Sequence, residues 1–147
     1  MYSTIQFVHS MWAYLVLAIL VITTFNSLIK FFGGKEYGAK DMRLALFTLI
    51  TMHLQLLIGL VLWFVSEGYG LKAISNGGMK AVMGSPDIRK LTVEHPTLMI
   101  IAIALVTIGY SKHKKQRLST PKFKKLAIFY TLALIAVLAM IPWAKWF

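Results

Sequence analysis

Residues 92–113 read TVEHPTLMIIAIALVTIGYSKH, an apolar run with a histidine towards each end. His95 and His113 are 18 residues apart. That separation is about five turns of a 3.6-residue helix, so a helix through the stretch carries both imidazoles on one face, about 27 Å apart along its axis. The distance is close to the thickness of a bilayer's hydrocarbon layer. Pro96 follows His95 directly, in the first turn of such a helix, where a residue without an N–H is tolerated. The stretch reads as a membrane-spanning helix, and the other segments are placed relative to it.

Composition agrees. The chain has 147 residues, of which 58% are apolar and 14% charged, with a mean hydropathy of +0.69. That leaves too little polar surface to cover a water-soluble globule of this size. The absence of cysteine excludes disulfides, thiolate metal sites, iron–sulfur clusters, covalent c-type haem and cysteine nucleophiles. A net charge of +11 does not point to nucleic acid, because the cations lie between apolar runs. There is no internal repeat, phosphate loop or Rossmann pattern, and residues 1–147 form one transmembrane domain.

Four apolar runs, at 7–29, 44–65, 97–110 and 126–143, are each about long enough to cross a membrane once the shorter are extended by a turn. They predict helices at about 6–31, 42–66, 93–113 and 122–144. The first run lacks a basic start and a small-residue cleavage pattern, so it reads as a retained helix and not a signal peptide. Gly33-Gly34 and Ser119-Thr120-Pro121 mark short turns, which predict antiparallel neighbours. The expected fold is all-α, an integral-membrane up-down four-helix bundle. The connection 67–92 contains Gly68, Gly70, Gly77, Gly78, Gly84 and Pro86. It either folds back over one mouth of the bundle or remains a mobile loop.

Charge sets the orientation. Lys30, Lys35, Lys40 and Arg43 follow the first run, and Lys112, Lys114, Lys115, Arg117, Lys122, Lys124 and Lys125 follow the third. These 11 cations share one side, against 5 on the other, Lys72, Lys80, Arg89, Lys90 and Lys145. The positive-inside rule places both termini and the 67–92 connection on the outer, periplasmic side of a bacterial inner (cytoplasmic) membrane. Trp12, Trp63, Trp143 and Trp146 all fall at predicted outer helix ends, as an aromatic belt requires.

Ionisable groups inside membrane spans are costly and mark function. His9 lies one turn before Trp12 at the outer end of the first helix, and His95 opens the third at the same depth. In an up-down bundle these helices are diagonal partners. Two imidazoles facing one another across the centre can clamp a planar macrocycle from both sides, as in a six-coordinate bis-histidine haem b. Ala13, four residues after His9, and Met99 and Ala102, four and seven after His95, leave room for a ring to pack. The plainer alternative is a pair of hydrogen-bonded interfacial histidines. Zinc is a further alternative, with Glu94 as third ligand, although Glu94 points about 100° away from His95 on a helix. Arg89 and Lys90 either bind haem propionates or are snorkelling interfacial charges.

His53 lies midway along the second helix, too deep to share an iron with His9 or His95. Pairing it with His113 gives a second haem near the inner leaflet, across a depth mismatch on the order of 15 Å. The alternative for His53 is a buried residue bonded to Thr107, Asn26 or Tyr130. For His113, within SKHKK, it is a solvated residue of a basic loop, and this is the reading favoured there. Thr51, Gln55 and Gly59, with Thr48 nearby, form a small and polar stripe that reads as helix-packing glue or, alternatively, as a quinone headgroup site.

His9-Ser10, MHLQLLIGL at 52–60, Glu94-His95-Pro96, SKHKK at 111–115 and IPWAKWF at the C-terminus together resemble a family of short bacterial four-helix membrane proteins of cytochrome b type. The likeness runs through the whole chain. More remotely the chain is similar to half of a haem A synthase and to the small bacterial cytochrome b561 proteins. It lacks the Glu-x-x-His pattern and the cysteine pair of many haem A synthases, and it has no histidine on its fourth helix. The resemblance implies haem binding and electron transport.

The resulting expectation is a membrane electron-transfer protein with His9 and His95 as axial ligands of haem b, one or two haems in all, relaying electrons between quinone and an outer-face redox partner or larger membrane complex. The rival is a haem-free structural or assembly subunit. A transporter is disfavoured by the scarcity of intramembrane charges and the lack of broken-helix pairs.

Overall fold

A computed structural model describes residues 2–66 and 68–141, and all the regular structure among them is helical. The helices are α1 (Tyr2–Phe32), α2 (Ala39–Val65), α3 (Leu71–Gly84), α4 (Pro86–Arg89), α5 (His95–Lys114) and α6 (Ser119–Met140), with one π-helical turn, Lys90–Glu94, leading from α4 into α5. Four segments are long and apolar enough to cross a membrane: Ser3–Phe32, Ala39–Val65, Pro86–Lys114 and Ser119–Met140. The chain is therefore a multi-pass membrane protein. Its outward faces carry large apolar side chains such as Phe7, Ile29, Leu57 and Ile135, each at least 59% exposed, which water does not stabilise and lipid does.

The helices pack α1 on α2 and α6, and α5 on α2 and α6. Cross-helix bonds fix the directions. Gln55 Nε2 donates to the His9 carbonyl, Trp12 Nε1 to that of Thr51, Thr23 Oγ1 shares a hydrogen bond with Thr48 Oγ1, and Asn26 Nδ2 donates to Asp41. As one residue number rises the other falls, so α1 and α2 are antiparallel. The same inversion relates α2 to α5 through Trp63 and Thr92 and through His53 and Thr107. It relates α5 to α6 through His95 and Met140 and through His113 and Lys122. Between α5 and α6 a Cβ on Gly109 would collide with the Phe129 side chain, so glycine there allows the close approach. The core runs along Leu20, Ala45, Met52, Ala102, Val106, Tyr130 and Ala133, mostly small or branched residues that let apolar helices pack tightly.

The stripe Thr51, Gln55 and Gly59 faces α1, where Gln55 and the Thr51 carbonyl bond across the seam, as the helix-packing reading expects. The 67–92 connection is more ordered than a loop, since it holds α3 and α4. The pair Gly77-Gly78 does break α3, because Gly78 takes a positive φ of 77°. Trp12 and Trp63 both donate their indole N–H to a neighbouring helix backbone. Trp143, Lys145 and Trp146 lie outside the described residues.

At the other end, two buried clusters join the turns. The Asp41 carboxylate, 2% exposed, accepts from Lys30 Nζ at 2.7 Å, Asn26 Nδ2 at 2.8 Å and the Gly38 N–H at 2.8 Å. Tyr37 donates its N–H to Ser119 Oγ and its hydroxyl to His113 Nε2, both at 2.8 Å, tying the 33–38 turn to the α5–α6 turn. Burial, the nearby Asp41 carboxylate and Tyr110 push the Tyr37 phenol up to about 12, so it remains a hydrogen-bond donor throughout the neutral range.

Candidate functional site

Pro96 shapes the region around His95. With no N–H of its own it cannot bond the carbonyl four residues back, which is that of Thr92. The backbone responds with the π turn, in which the His95 N–H bonds the Lys90 carbonyl five residues earlier. The freed Thr92 carbonyl accepts Trp63 Nε1 at 2.9 Å, and Thr92 Oγ1 accepts the Gly70 N–H at 2.9 Å. Proline thus locks the start of α5 against the end of α2.

His95 then reaches α6. Its Nδ1 lies 2.8 Å from the carbonyl oxygen of Met140, the last residue of that helix, whose carbonyl has no partner within the helix. A carbonyl only accepts, so Nδ1 carries the proton and Nε2 keeps its lone pair in the neutral ring. That is the arrangement of a metal-ligating histidine, whose second nitrogen is fixed by an outer partner.

His9 approaches from α1. Its ring lies over Gly59 of α2, where a Cβ would come within 3.3 Å of Cε1. Its Nδ1 is buried and has no hydrogen-bond partner. Gly59 is one turn from Trp63, which holds Thr92, so His9 and His95 reach the same level of α2 from either side. Of the residues expected to pack beside a ring, Ala102 is fully buried in the core, Met99 packs on the core, and Ala13 is half-buried.

Of the two polar candidates, only Arg89 has other partners among the described residues. Arg89 lies 3.4 Å from Glu94 and donates to the Met83 carbonyl at 3.1 Å, while Lys90 is exposed. Because Glu94 faces Arg89, and no group of three His, Cys, Asp or Glu residues gathers among the described residues, a zinc site lacks its ligand set. A bis-imidazole haem needs only two protein ligands; here the unpartnered Nδ1 edge of His9 packs against Gly59, and the Nε2 of His95 is left out of the Met140 bond.

The deeper histidines depart from expectation. His53 is exposed and not buried: its Nδ1 bonds the Leu49 carbonyl of its own helix at 2.8 Å, and its Nε2 reaches Thr107 only at 3.5 Å. Asn26 and Tyr130 are instead bonded to Asp41 and to the Ala45 carbonyl. His113 is not solvated but fully buried, with Nε2 on Tyr37 and Nδ1 on the Tyr110 carbonyl. Thr107, level with His53, precedes His113 by six residues, about 9 Å of helix. The structure does not bring this pair together.

One feature was not anticipated. Val93, Glu94, Thr97, Leu98 and Met140 line a cleft of about 290 Å³ beside the His95–Met140 bond, where the start of α5 meets the end of α6. No protein-family model matches the chain, and no curated protein or solved structure does either. The fold and site therefore define it as an all-helical, multi-pass membrane protein with two imidazoles drawn to one end of its helices.

Proposed function

We propose that this protein is a membrane cytochrome of b type, with His9 and His95 as the axial ligands of one haem b. The carrying observation is the pair of imidazole nitrogens: a buried Nδ1 on His9 without a partner, and an Nε2 on His95 left as a lone-pair donor by the Met140 bond. In this reading the four spans form an up-down bundle in a bacterial inner membrane, with both termini outside, and α1 and α5 are its diagonal helices. The pairwise packing and the charge asymmetry support that arrangement.

Haem, if bound, would supply a one-electron carrier, with His9 and His95 as the residues that would hold it. The chain contributes the rest. Met140 orients His95, Gly59 gives the His9 ring its space, and the Pro96 turn holds α5 in register. The cleft beside His95 is apolar apart from Glu94 and Thr97, which suits a quinol arriving through the lipid as electron donor, with an outer-face partner or larger complex as acceptor.

The test is optical. Detergent-purified protein is expected to show a sharp Soret band and, on reduction, a narrow alpha band. Protein that stays colourless after growth with added haem would instead identify a haem-free structural subunit.

A further inference from the structure

The opposite end of the molecule carries a second surface, unrelated to the histidine pair. Lys35, Lys40 and Arg43 around the first turn, and Lys112, Lys115 and Arg117 around the second, are all exposed and make no ion pair among the described residues. The nearby carboxylate of Asp41 is already occupied by Lys30, which leaves Glu36 as the exposed acid of this surface. Tyr37 joins the two turns through Ser119 and His113, so the six cations sit on one braced platform.

Apolar side chains stand among them. Phe32 is 81% and Leu118 71% exposed, the highest values for large apolar residues among those described. A phenyl and an isobutyl group at the tips of cationic turns are unfavourable in water but well placed at the boundary between headgroups and acyl chains.

We infer that this end binds anionic phospholipid, with phosphodiester headgroups held between the 33–38 and 115–118 turns by these cations, and Phe32 and Leu118 inserted among the acyl chains. Each cation near an anionic leaflet contributes about a fivefold preference over a zwitterionic one. The platform therefore selects its lipids as well as orienting the chain.

The experiment uses the full chain in nanodiscs of phosphatidylcholine with and without phosphatidylglycerol, reading retained lipid by native mass spectrometry. Wild type is expected to retain phosphatidylglycerol preferentially. The variant Lys112→Gln/Lys115→Gln/Arg117→Gln should lose that preference by roughly a hundredfold, while Lys72→Gln/Lys80→Gln at the far end keeps it. About 1 M salt, which shortens screening to roughly 3 Å, should erase the preference in wild type, a readout that needs no variant to fold. Equal retention of both lipids by wild type overturns the inference, as does a far-end variant that loses as much as the triple one. Equal retention would also leave these cations to an acidic protein partner. None of these readouts depends on pigment, so the outcome is independent of the cytochrome proposal.

Discussion

His95→Ala is expected to abolish the six-coordinate, low-spin haem spectrum completely, and His9→Ala to do the same from the opposite helix. The two losses have different secondary effects. Truncating His95 also leaves the Met140 carbonyl without its donor at the end of α6, so this variant should be less stable by about 1 kcal/mol as well as colourless. Truncating His9 removes a ring whose Nδ1 has no partner to lose, so its thermal stability should change less. His113→Ala is the control. It opens a void in a fully buried site and takes the imidazole acceptor from the Tyr37 hydroxyl, which keeps only the weaker Met42 sulfur, costing about 2 kcal/mol or more, yet should keep the haem band. A His9→Ala spectrum identical to wild type would remove the pairing from consideration.

The largest stability effect is expected at Asp41. Its carboxylate is the shared acceptor for an ammonium, a side-chain amide and a backbone N–H. Asp41→Ala leaves all three donors unmatched where the end of α1 meets the start of α2. Removing one partner of a buried ion pair costs about 3–5 kcal/mol. The lower end applies here, because Lys30 is 28% exposed and can turn towards water. Asp41→Asn preserves shape and one acceptor oxygen and should cost roughly half as much. Denaturant melts in detergent measure both, and wild-type midpoints for the two variants would show that the cluster contributes little.

Much of this was legible in the residues. The four spans follow from hydropathy and length, and the start of α5 from Pro96, where a missing N–H permits few alternatives. His113 was also legible, but its charged neighbours outweighed the pattern. Ala102, Val106, Gly109 and His113 recur at helical spacing, so they share the buried face although Lys112 and Lys114 flank the last of them. The same rule places His53 outside: Asp41, Ala45, Thr48 and Met52 form the inward stripe of α2, and His53 is about 100° from it.

Other features could not be read. The His95–Met140 bond joins the start of one helix to the end of another 45 residues on, and only tertiary packing decides which carbonyl an imidazole meets. The π turn depends on where the freed Thr92 carbonyl finds Trp63. The Asp41 cluster left a faint signal, an isolated acid in the first turn of a helix after a glycine, surrounded by lysines and an arginine.

Electron paramagnetic resonance of the oxidised, purified protein, taken with its haem-to-protein ratio, tests the bis-histidine assignment most directly. A low-spin ferric signal of two-imidazole type at one haem per chain is the result expected from His9 and His95. A high-spin signal, or haem absent from protein grown with an ample supply of it, would contradict it.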